Sequence, residues 1–113
     1  MEASRLRELV HAAARKGICH KETLDAIQRG FDFEAGEVSR SSLLRTYERR
    51  LSRTAQGSDL REQTRDLVAF LGGFPDENLM MISIRPEAGG FYLFLADEEG
   101  TEILFWMRMF SQT

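Results

Sequence analysis

The sequence predicts an α+β domain, with about four helices in its first two-thirds and a three-stranded antiparallel meander in its last third. Two changes of pattern carry this. Up to Leu71 the apolar residues recur at spacings of three and four, the period of a helix with one buried face; from Leu79 onward the period drops to two, the period of a strand. The length of 113 residues and the 42% hydrophobic content suit one ordinary core and leave no room for a second full domain. Residues 1–113 are therefore read as a single domain, helical over about 4–72 and β over about 79–110.

The first helix is expected to start at a Ser4 cap, bury Leu6, Leu9, Val10 and Ala13, and stop at Arg15-Lys16-Gly17, where basic residues and a glycine suit a helix C-terminus. A second runs from near His20 to Gly30, with Leu24, Ile27 and Phe31 in register. Ser39 is a good N-cap for a third. This helix carries Leu43, Leu44, Tyr47 and Leu51 on one face and Arg40, Arg45, Arg49, Arg50 and Arg53 around the rest. Asp59 and Glu62 have the spacing of a capping box for a fourth helix, whose stripe is Leu60, Leu67, Val68 and Leu71 and whose stop is Gly72-Gly73 before Pro75.

The predicted strands are Leu79 to Arg85, Phe91 to Ala96 and Thr101 to Phe110, joined by loops of hairpin length. The last two are apolar on both sides. Phe91, Leu93 and Leu95 oppose Tyr92, Phe94 and Ala96, and Ile103, Phe105 and Met107 oppose Leu104, Trp106 and Phe110. A sheet resting on helices by one face alternates with polar residues on the other, so this one needs cover on both faces. The uncharged set Ile103, Phe105, Met107 is assigned to the helical core. Tyr92, Phe94, Leu104, Trp106, Arg108 and Phe110 then form a candidate protein interface, for a second copy or another protein; Trp, Tyr and Arg are types that anchor such contacts.

A second candidate surface lies earlier in the chain. Thr23-Leu24-Asp25-Ala26-Ile27 followed by Val38-Ser39-Arg40-Ser41-Ser42-Leu43-Leu44-Arg45 resembles the helix-turn-helix of Mu-like phage packaging proteins and transposon-type regulators. The resemblance covers about 30 residues and implies that Arg40, Ser41, Ser42, Arg45 and Arg49 face nucleic acid on a recognition helix. Two features depart from that pattern. Seven residues, Asp32 to Val38, stand where a tight turn has three or four, and they include Asp32, Glu34 and Glu37.

The charge is divided along the chain. Met1 to Gln56 holds 11 basic and 8 acidic residues, and Gly57 to Thr113 holds 4 and 10, for a net −3 overall. Separation of this kind marks either a basic contact face beside an acidic one or two solvated surfaces. One cysteine, no signal-peptide pattern and no apolar run near the roughly 20 residues of a membrane span lead to a cytoplasmic expectation. No catalytic, cofactor or metal motif stands out. Cys19 and His20 are neighbours that cannot face each other on a helix, His11 adds no ligand spacing, and Asp97-Glu98-Glu99-Gly100 lacks the alternating oxygens of a calcium loop. The function expected from the sequence is thus a non-enzymatic interaction module, an adaptor, inhibitor or regulatory subunit, acting through the aromatic sheet; a DNA-binding regulator using the third helix is the alternative.

Overall fold

The computed structural model describes residues 1–87 and 89–108. In chain order the elements are α1 (Ala3–Arg15), α2 (Lys21–Gln28), β1 (Phe31–Ser39), α3 (Arg40–Arg53), α4 (Asp59–Gly73), β2 (Asn78–Pro86), β3 (Tyr92–Asp97) and β4 (Ile103–Arg108). The α+β class holds, but among the described residues the sheet has four strands rather than three. All are antiparallel in the order β1-β2-β3-β4. The extra strand is β1, so the helices do not all precede the sheet. Its local sequence does not mark a strand: only Phe31 and Phe33 alternate with acidic residues, after which Ala35-Gly36-Glu37 has poor strand propensity. Pairing with β2 along all nine residues overrides that local preference.

The demand for cover on both faces is met within the chain. On one face, Leu6, Val10 and Ala13 of α1 and Ile27 of α2 pack on Ile82, Ile84, Tyr92, Phe94 and Ile103. On the other, Tyr47 of α3 and Leu67 and Leu71 of α4 pack on Leu79, Leu93, Leu95 and Met107. The result is three layers, helices over sheet over helices. β3 is the innermost strand by burial, with Leu93, Phe94, Leu95 and Ala96 each at 2% exposure or less.

Helix starts correct two expectations. α1 begins at Ala3 with Glu2 at the cap position and no side-chain cap bond, so Ser4 lies inside the helix. α4 is capped by Ser58, one residue before Asp59; its hydroxyl accepts from the Arg61 N–H at 3.2 Å. Ser39 caps α3 as expected, accepting from the Ser42 N–H at 3.4 Å.

At the far hairpin, Gly100 at φ +68° closes a turn in which its N–H reaches the Asp97 carbonyl at 2.9 Å. The Asp97 carboxylate accepts from the N–H groups of Thr101 at 2.7 Å and Glu102 at 2.9 Å and from the Thr101 hydroxyl. Partial burial pushes this carboxyl up, but those bonds outweigh it and the net shift is downward. Just beyond, a bulge places Ile103 opposite Ala96 and Phe105 opposite Leu95. The bulge reverses part of the expected facing: Ile103 joins Trp106 under α1 and α2, while Leu104 joins Phe105 and Met107 under α3 and α4.

Phe94 is fully buried between layers, so Phe94→Ala is expected to cost about 3–5 kcal/mol of folding stability. Urea unfolding checks this: the midpoint falls while the slope stays that of the parent.

Candidate functional site

α3 begins where β1 ends, and that junction is tied to the start of β2. The strand register continues past both ends, since the Arg40 N–H donates to the Glu77 carbonyl at 2.7 Å. The Glu77 side chain then sits over the first turn of α3. Its Oε1 accepts from the Ser39 hydroxyl at 2.6 Å, the Ser41 hydroxyl at 2.5 Å and the Ser41 N–H at 3.0 Å, while Oε2 lies 3.6 Å from Arg40 Nη2. The helix N-terminus, a natural place for an anion, is thus occupied by the chain's own carboxylate. The Ser39 and Ser41 bonds hold the Glu77 carboxyl at about 2, well below its ordinary 4.5, with Arg40 adding a smaller pull.

Two arginines fasten the α3–α4 pair by capping each other's helix. Arg40, first in α3, donates from Nη1 to the Leu71 carbonyl near the end of α4 at 2.7 Å. Arg61, near the start of α4, donates from Nη1 to the Leu51 and Thr54 carbonyls at the end of α3, at 2.6 and 3.0 Å. Each guanidinium lies at the carbonyl-rich, negative end of the other helix; the Leu51 carbonyl, which also takes the Thr54 N–H at 3.4 Å, gains a second and shorter bond from Arg61.

What remains outward on α3 is basic. Leu43, Leu44 and Tyr47 pack with α4 and the sheet and Leu51 is half-buried, leaving Ser42, Arg45, Thr46, Arg49, Ser52 and Arg53 exposed on the opposite side. Arg45, Arg49 and Arg53 succeed one another by four residues, about 6 Å of axial rise, which lines them along one crest. Glu48 lies to the flank. Arg50, also exposed, lies over the Tyr47 ring at 5.0 Å. None of the crest arginines has an ion pair among the described residues, where the pairs are Lys16–Glu102 and Arg40–Glu77. Like charges at this spacing repel by a few tenths of a kcal/mol per pair, so the row works against the helix that bears it.

The other candidate residues fall differently. Tyr92 and Phe94 are buried, and Trp106 is half-buried against them, with ring centroids at 6.1 and 6.4 Å. His20 at the start of α2 meets the Trp106 ring edge-on at 5.2 Å. Leu104 packs on the opposite side, Arg108 is exposed at the end of β4, and Phe110 lies outside the described residues. The expected aromatic interface is therefore not a shared exposed face, because α1 and α2 already lie on it. Nor do α2 and α3 form a helix-turn-helix. Strand β1 runs between them, and they pack on opposite faces of the sheet. Of the residues assigned to nucleic acid, Arg40 and Ser41 are engaged at the Glu77 junction, while Ser42, Arg45 and Arg49 stay exposed.

Cys19 is buried, its thiol donating to the Val10 carbonyl at 3.6 Å, and burial pushes its pKa up. Among the described residues no three His, Cys, Asp or Glu side chains converge as metal ligands, and no helix is long and apolar enough to cross a membrane. No motif in the sequence marks Glu77, because it stands 36 residues from its Ser41 partner and no spacing rule connects them. Fold and surface together define a three-layer domain with a basic helical crest. No protein-family model, curated protein or solved structure matches the chain.

The depressed carboxyl of Glu77 gives a signed expectation. Between pH 4.5 and about 2 the unfolded chain takes up the proton before the folded one, so stability contributed by Glu77 is complete above pH 4.5 and is lost on acidification through that interval. Glu77→Gln removes the titration and should flatten the acid limb of stability against pH relative to the parent. Urea midpoints measured at steps from pH 5 to pH 2 compare the two, with Asp97 present in both as a common background.

Proposed function

We propose that the chain is a non-enzymatic interaction module, an adaptor that presents the outward crest of α3 to an acidic protein surface. The single observation behind this is the row Arg45, Arg49, Arg53, exposed, mutually repelling and without a carboxylate partner among the described residues, in a chain whose net charge is −3. Self-repulsion of that kind is relieved by an anionic partner. The spacing of about 6 Å equals that of glutamates four apart on a facing helix. Glu77 at the N-terminus of α3 favours a protein over nucleic acid as the partner, because it occupies the position where a groove-entering helix receives phosphate.

The reading is tested with a labelled helical peptide carrying glutamate at every fourth position, and in parallel with a short DNA duplex. The peptide should bind, more weakly as salt rises, because exposed charges are screened. Replacing Arg45, Arg49 and Arg53 together by glutamine should weaken it by roughly tenfold, since three exposed pairs at about 0.2–1 kcal/mol each sum to that order. Thermal stability should change little, as these positions carry no core contact. Equal affinity of parent and triple variant would reject the crest as the contact. Preference for the duplex would replace the acidic protein by nucleic acid.

A further inference from the structure

We infer that the free edge of β1 is a second, separate docking site, which takes an extended basic segment of a partner as a fifth strand. This goes beyond the proposed role of α3 and uses the opposite sign of charge.

Among the described residues β1 ends the sheet, and its end contacts fix the parity of its bonds. At one end the Glu87 N–H donates to the Gly30 carbonyl at 3.0 Å, and at the other the Arg40 N–H donates to the Glu77 carbonyl at 2.7 Å. Both pairs fit the register that sets Asp32 opposite Arg85 and Glu34 opposite Ser83. In an antiparallel ladder alternate residues exchange bonds with the partner, so even-numbered residues of β1 are tied to β2. Phe31, Phe33, Ala35 and Glu37 therefore aim their N–H and C=O groups away from the sheet. This is a run of regularly spaced donors and acceptors of the kind that recruits another strand. Asp32, Glu34, Ala35, Gly36 and Glu37 are all exposed, and no proline or bulge interrupts them.

The side chains choose the occupant. Asp32, Glu34 and Glu37 put three carboxylates along the strand, and none has an ion pair among the described residues. Asp32 and Glu34 share the sheet face of Val38 and Glu37 the face of Phe33, so pairing of two β1 edges from two copies would gather like charges on both faces, which disfavours self-association there. A basic strand meets complementary charge instead. Beside the edge, Asp32, Phe33, Glu34, Ser83 and Arg85 line a shallow depression of about 250 Å³, where the covering helices leave the sheet bare and a side chain of an added strand can lodge.

The probe is an end-blocked nonapeptide of alternating lysine and threonine, with a control in which glutamate replaces lysine. Amide hydrogen exchange on the full chain reads the geometry. The lysine peptide should slow exchange at Phe33, Ala35 and Glu37 by roughly tenfold or more at saturation, with little change at Asp32 and Glu34, whose amides already face β2. Asp32→Asn with Glu34→Gln should weaken binding several-fold, roughly as loss of two exposed charge pairs. Ala35→Pro removes an outward N–H without touching the β2 ladder and should abolish binding. A peptide methylated on the amides that would face β1 serves the same purpose if that variant does not fold. Binding that leaves the three amides unprotected, or survives both Ala35→Pro and peptide methylation, would overturn the inference. So would equal binding of the glutamate peptide, or protection that grows with protein concentration in the absence of peptide, which would assign the edge to a second copy.

Discussion

The whole arrangement follows from a central strand that is apolar on both faces. Tyr92, Phe94 and Ala96 look one way from β3 and Leu93 and Leu95 the other, and all are buried. At about 25 cal/mol per Å² of apolar surface, leaving either face wet would forfeit much of the small margin by which a domain of this size is stable. Two helical layers are therefore required, and a chain this short can supply them only by sending one helix pair to each side. To get from α1 and α2 on one side to α3 and α4 on the other, it must pass the sheet. It does so as β1, hydrogen-bonded along the edge, which satisfies the backbone that a bare crossover would leave without partners.

That route makes the junctions at the two ends of β1 stringent. Gly30 turns the chain from α2 into the strand at φ +135°, and a Cβ there would come within 2.7 Å of the Glu87 carboxylate. At the other end Glu77 binds Ser39 and Ser41 and so joins the strand, the third helix and the start of β2 in one cluster. The reciprocal caps from Arg40 and Arg61 then align the α3–α4 pair, each filling carbonyls of the other helix. Arginine suits this work because its fixed fork keeps its charge and reaches more than one carbonyl.

Once the sheet and helix ends are accounted for, the charges that remain sort into two surfaces of opposite sign. Arg45, Arg49 and Arg53 stand on α3, and Asp32, Glu34 and Glu37 on β1. They lie in consecutive elements, so the division of charge between the two halves of the sequence is not the one that matters in space. Both sets belong to the first half, whose net charge averages them away. On the proposed reading, the basic face takes one partner and the acidic edge another of opposite charge.

Much of this was legible in the sequence because it is local. Helical periodicity marked four helices and most of their buried residues, Leu6, Val10, Ile27, Tyr47, Leu67 and Leu71 among them, and the Ser39 cap depends only on its own first turn. The exposed arginines of α3 were visible for the same reason. The two apolar faces of the last strands were equally plain, but not what lies on them; that was decided by which side of the sheet each helix pair reaches, a choice no local pattern encodes. β1 was hidden because its strand character comes from pairing with the distant β2, Phe31 with Pro86 through Ser39 with Asn78, rather than from its own residues. The bulge that parts Ile103 from Phe105, and the Glu77 and Arg61 contacts, likewise depend on register and on helix ends meeting in space. Periodicity records which side of an element is apolar, whereas the partner that buries it is settled only when distant elements compete for the same sheet.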